Sequence, residues 1–187
     1  MGQLDDRKEG PLTRALRDDH RRLDALFQVA TADLQVIDGV AYDQFRAGLL
    51  RHIGMEEKIL IPALQRLQGG VPYPHSAKLR LDHGALAALL MPTPTPAILA
   101  TIRAILCAHN RMEEGSDGLY AVGDRLAASE ADALVASLSA APEVKVMPHS
   151  DSPAVMNNLR GALERAGYRL AYDERSRMDE AGTESAR

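Results

Sequence analysis

The sequence predicts an all-α protein, an antiparallel up-down-up-down four-helix bundle with extra C-terminal helices. Three observations carry that prediction. The 187 residues are 45% hydrophobic but only 4% aromatic, with no Trp, and Leu and Ala outnumber the β-branched residues, which favours helix over strand. Apolar residues recur at steps of three and four over long windows. Gly and Pro signals divide those windows into four long segments with short connections.

Pro11 and Thr13 open the first helix, with Leu12, Leu16, Leu23, Phe27, Ala30 and Leu34 on one stripe and the Asp38-Gly39 turn signal at its end. From about Tyr42, the residues Phe45, Leu49, Ile59, Leu60, Ala63 and Leu67 mark a second helix that Gly69-Gly70 stops. Leu79, Leu86 and Leu90 mark a third, ending before the proline cluster at Pro92. A fourth starts near Pro96 and reads through Ile98, Ile102, Ile105 and Leu106 to about Leu126. Ser129 and Asp132 suggest a capped short helix reaching Leu138. After an extended linker over residues 140–152, Ser152-Pro153 starts a helix through about Leu170. The expected domains are a flexible N-terminus (1–11), the bundle (12–128), a short helix, linker and C-terminal helix (129–170), and a disordered tail (171–187).

A formal net charge of −4 provides no basic stripe, so nucleic acid is not an expected partner. The apolar run 85–100 is broken by Pro92, Pro94 and Pro96, so no membrane association is expected either. Cys107 is the single cysteine and the charged start has no secretory pattern, which makes the cytoplasm the expected compartment.

Ionisable residues interrupt the apolar stripes. In the second helix the stripe runs Phe45, Leu49, His52, Glu56, Ile59; in the fourth, Ile102 and Ile105 are followed by His109 and Glu113. The unit H-x-x-x-E therefore occurs twice in core phase. His20 lies between Leu16 and Leu23, and His83 between Leu79 and Leu86, so each long helix turns one His inward. Buried charges without partners cost several kcal/mol each. Residues four apart share a helix face, so each H-x-x-x-E offers a metal one nitrogen and one oxygen, and the two lone histidines add two nitrogens.

His75 and His149 fall outside every core stripe and are not expected to be ligands. Asp19 and Asp82 precede inward histidines but point about 100° away from them, toward solvent or a helix flank. Glu57 and Glu114 are candidates to orient ligands, though a solvated position is the commoner fate. Cys107 reads as a packing residue. Tyr120, two turns beyond Glu113 on the same stripe, reads as packing ahead of lining a pocket.

The set His20, HIGME at 52–56, His83 and HNRME at 109–113 resembles the hemerythrin-like family of HHE cation-binding domains over residues 12–128. The resemblance implies a four-helix bundle around two iron ions with a bridging oxo or hydroxo ligand. Glu56 and Glu113 would bridge, and His20, His52, His83 and His109 would be terminal ligands. Oxygen carriers of the family have a further His where this chain has Ala87, and an Asp where it has Glu114. The pattern is closer to bacterial hemerythrin-like proteins and to repair-of-iron-centres proteins, without the short N-terminal domain that often accompanies the latter.

Five donors per iron would leave an octahedral position open. The function expected is binding, sensing or detoxification of oxygen, nitric oxide or peroxide, with a small diatomic gas or peroxide as partner. The alternative is a metal-binding regulatory or storage bundle, with iron or zinc, that does not turn over. No catalytic residue is assigned. A ferritin-like centre is excluded because no Glu is followed three residues later by His. In the C-terminal helix, Val155, Leu159, Leu163 and Tyr168 form a stripe that must dock, and a homodimer through that helix is the expected use.

Overall fold

The computed structural model describes residues 9–33 and 35–171. Leu34, most of the N-terminal segment and the tail beyond residue 171 lie outside them. Every regular element among the described residues is helical. They are α1 (Pro11–Ala30), α2 (Gly39–Met55), α3 (Ile61–Leu67), α4 (Ser76–Leu89), α5 (Pro96–Glu114), α6 (Leu119–Ala127), α7 (Ala131–Ser139) and α8 (Pro153–Ala166). The described residues fall into two compact units, one from the ranges 9–80 and 108–146, the other from 81–107 and 147–171. No helix among the described residues is long and apolar enough to cross a membrane.

In the first unit α1 packs on α2, α6 and α7. Leu12, Leu16, Met55, Leu60, Ile61 and Leu64 form its core with Leu119, Tyr120 and Leu134. Two remote side chains cap helix ends there. Asp124 of α6 accepts from Leu12 N–H (2.9 Å), Thr13 N–H (3.1 Å) and the Thr13 hydroxyl (2.6 Å) at the start of α1. Gly10, the residue before that helix, has no side chain to do so. Arg51 of α2 donates to the carbonyls of Leu138, Ser139 and Ala141 at the end of α7, as a cation at a helix C-terminus should.

Several segments depart from the sequence reading, and the first helix already ends at Ala30. The second helix starts at Gly39, because the Asp38 side chain accepts from Val40 and Ala41 N–H: the expected stop signal is an N-cap. Between α2 and α3 the helix widens into a π-turn over Glu56–Leu60. Pro62 explains the widening. It cannot donate to the carbonyl four residues back and its ring would press on it, so Ile61 N–H bonds to Glu56 O, five residues back.

The fourth helix does not run to Leu126. It ends at Glu114, and residues 115–118 turn the chain into α6. A Cβ on Gly118 would lie 2.4 Å from the Glu113 carbonyl oxygen, so only glycine lets the chain reverse this tightly against its own helix end. The α7 helix forms as expected, but a short 3₁₀ turn over Ala128–Glu130 leads into it and the Ser129 cap is not made.

In the second unit Asp151 accepts from Thr93 N–H and hydroxyl, and Ser150 N–H donates to Met91 O. Ser152 caps α8, and Gly167, at φ 82°, ends it earlier than Leu170. Leu159 and Leu163 of its stripe are buried.

Candidate metal centre

All six residues of the interrupted stripes are buried, Glu56 and Glu113 completely. His20 comes from α1, His52 and Glu56 from the end of α2 and the first residue of the π-turn, and His109 and Glu113 from α5. These five converge within the first unit. The Nε2 atoms of His20 and His52 are 2.9 Å apart, and each faces a carboxylate oxygen at 3.5 Å, His20 that of Glu113 and His52 that of Glu56. His109 Nε2 lies 2.9 Å from Glu113. Glu56, His109 and Glu113 offer ligand atoms within 4.8 Å of one another, as do His20, His52 and Glu113. His83 is buried on α4 in the second unit. His75 is exposed and His149 half-buried, and neither joins these groups among the described residues.

Two carboxylates fix which imidazole nitrogens face inward. Glu114 Oε1 lies 2.6 Å from His20 Nδ1, and Asp19 Oδ2 lies 2.9 Å from His52 Nδ1. An ionised carboxylate only accepts, so both Nδ1 atoms carry hydrogen and donate. In the neutral rings the two Nε2 lone pairs then point at one another across 2.9 Å. That arrangement requires a positive species between them, either a proton or a metal.

The metal-free electrostatics favour the proton. Burial opposes charge on His52, but Glu56, the hydrogen bond it donates to Asp19 and the charge of Glu113 outweigh it and push its pKa up to about 10. His52 then donates from Nε2 to His20. Burial opposes ionisation of Asp19, yet its bond to His52 and the pair with Arg22 hold it below the usual carboxylate value. The bond with His20 lowers Glu114 too, with help from Arg17.

These carboxylates correct two expectations. Asp19 does not face solvent: it is too close in sequence to serve His20, but it reaches His52 across the α1–α2 contact. Glu114 orients His20, whereas Glu57 meets Arg80 at the surface. Asp82, expected at solvent or a helix flank, is fully buried. Cys107 is exposed and does not pack.

Tyr120 is the largest departure. Its hydroxyl oxygen lies 2.8 Å from Glu56 Oε1, 3.0 Å from His20 Nε2, 3.2 Å from Glu113 Oε2 and 3.3 Å from His52 Nε2. Burial beside Glu113 and Glu56 raises its pKa well above 10, so without metal it keeps its proton and donates to a carboxylate. On an uninterrupted helix it would stand about 10 Å along the axis from Glu113. The reversal at residues 115–118 brings it back. Gly-Ser-Asp-Gly at 115–118 was the signal that could have revealed it.

The donor set fits a cation. Imidazole nitrogens of fixed tautomer and two carboxylates, all buried and each imidazole orienter bound from outside, are what transition-metal sites use. The family model for the hemerythrin HHE cation-binding domain matches residues 12–116, a stretch that contains all six stripe residues and stops short of Tyr120. Among curated proteins and solved structures, nothing matches.

Proposed function

We propose that this chain, which belongs to the hemerythrin HHE cation-binding domain family, is a non-haem di-iron protein that binds, senses or detoxifies oxygen, nitric oxide or peroxide. The observation that supports it best is the pair of buried His-Glu units meeting His20, with both Nε2 lone pairs of His20 and His52 aimed at one spot. His20, His52, His83 and His109 are the terminal ligands and Glu56 and Glu113 the bridges. His83 takes its place from its core-phase position on α4 and from the family pattern. The reading carries the up-down-up-down order of α1, α2, α4 and α5, and kinship with bacterial hemerythrin-like and repair-of-iron-centres proteins.

Bound iron, with a bridging oxo or hydroxo ligand, supplies redox chemistry and a Lewis-acid position for a small ligand. The chain's own residues do the rest. Asp19 and Glu114 hold the imidazoles in the metal-binding tautomer. Leu16, Leu60 and Met55 belong to the apolar core of the unit that holds the site; a small uncharged ligand needs no charged anchor there. His52 must give up its Nε2 proton on loading, so metal and proton compete.

Metal analysis of iron-loaded protein tests the reading, with about two irons per chain expected. If steady-state assays show that loaded protein binds nitric oxide or peroxide without consuming either, sensing is favoured over detoxification. Zinc at that stoichiometry, with no near-ultraviolet or visible absorption, favours the regulatory or storage alternative. The homodimer is a separate proposal. Leu159 and Leu163 of the α8 stripe are buried within one chain, so the stripe does not itself require a partner; an equal oligomeric state by light scattering for the chain ended after Ala141 and the full chain excludes the homodimer.

A further inference from the structure

The geometry points to Tyr120 as a further metal ligand, its phenolate oxygen binding the ion that His20 and His52 hold; this rests on the metal-binding reading above.

The first support is where the oxygen lies. Donor atoms that share one ion at bond lengths of about 2.1 Å, neighbours in an octahedron, stand about 3 Å apart. The Tyr120 oxygen is 2.8 to 3.3 Å from four candidate donors. Each vertex of an octahedron has four such neighbours. Three sides of the square they would form measure 2.9, 3.5 and 3.5 Å, from His20 to His52, His52 to Glu56 and Glu113 to His20. These seven separations, 2.8 to 3.5 Å, match the spacing of neighbouring donors around one ion before any ion is present.

The second support is how the chain brings the oxygen there. The sharp turn that needs glycine at position 118 and the cap from Asp124 to the start of α1 hold both ends of the α6 turn that carries Tyr120. Tyr120 is completely buried, and a phenol needed only for packing would have no reason to present its hydroxyl to two carboxylates and two imidazoles. The cation neutralises the same carboxylates that accept the phenol hydrogen bonds, which releases the phenol proton to solvent as the oxygen binds. With two imidazoles, two carboxylates, the oxo or hydroxo bridge and the phenolate, this ion would have its six donors, so entry of a gas shifts toward the other.

The test uses full-length protein loaded with ferrous iron without air and oxidised with ferricyanide. The expected result is a strong visible absorption band whose resonance Raman spectrum contains tyrosine ring vibrations. Tyr120→Phe, which retains the ring, should lose both while retaining iron and its helical circular dichroism. Wild-type protein with a full complement of ferric iron but no tyrosine vibrations overturns the assignment, whatever the variant does. So does a band that persists in Tyr120→Phe. Wild-type protein that takes up no iron overturns the metal reading itself, and metal analysis separates that failure from the other.

Discussion

The two H-x-x-x-E units begin alike and continue differently. Both place an imidazole and a carboxylate on one buried helix face. After Glu56, Pro62 forces the helix into a π-turn that continues into α3, and the imidazole of this unit is held from outside by Asp19. After Glu113, the chain stops within one residue and reverses, and the reversal delivers Tyr120 to both units. The repeated spacing places the donors; the residues that follow each unit decide what else reaches them. The His-Glu distances, 3.5 Å in the first unit and 2.9 Å in the second, belong to these two different settings.

The largest expected effect treats the units as equals. If both carboxylates bridge, Glu56→Ala and Glu113→Ala each reduce bound iron to well under half that of wild type, as metal analysis will read. A variant that retains full metal breaks the equivalence and leaves its unit a packing element. Next in size are the orienting carboxylates. Asp19→Ala and Glu114→Ala should each weaken metal binding by about 10- to 100-fold, measured by competition with a chelator of known affinity. Asp19→Asn, which keeps the shape but loses the charge, should fall between Asp19→Ala and wild type.

Gly118→Ala probes the second unit's reversal alone. The added Cβ meets the Glu113 carbonyl, so about 1–3 kcal/mol of stability should be lost, as for overpacked interiors. Chemical denaturation reads this on metal-free protein, and an unchanged midpoint would show that the turn yields at no cost.

The smallest effect is the pH dependence of the metal-free protein, which separates the His52 side from the rest. The His52 pKa is raised from 6.5 to about 10, so its contribution is complete below pH 6.5 and is lost as pH rises toward 10. Asp19 and Glu114 are lowered from 3.8 and 4.5, so theirs is complete above those values and is lost as pH falls below them. Stability should therefore peak between about pH 5 and 6.5, and His52→Gln should flatten the alkaline limb and, because Asp19 loses that partner, shrink the acid limb to a smaller extent in denaturation curves.

The helices around the donors were legible because a polar residue at a core position is a sharp signal: the stripes Leu16, His20, Leu23 and Ile105, His109, Glu113 can be read from spacing alone, and all their members are buried. The alternation also left His75 and His149 outside the stripes, and among the described residues neither joins the donor groups. What spacing could not reveal is contact across helices. Asp19 sits at the wrong angle for its neighbour and the right one for His52, which depends on how α1 packs on α2. The fate of the fourth helix was written in Gly115 and Gly118, but the apolar stripe through Leu119 and Tyr120 continued in phase and masked the stop. Pro62 was visible too, although a proline can end, kink or widen a helix, and only packing decides which.

The central claim is that the two units and their histidines hold a pair of irons. Metal analysis of full-length protein loaded with ferrous iron and freed of excess metal tests it most directly, alongside the double variant His52→Ala with His109→Ala, which removes one imidazole from each unit. The account predicts about two irons per chain in wild type and near none in the double variant. Wild-type protein with far less than one iron, or a double variant that binds as much as wild type, would contradict it.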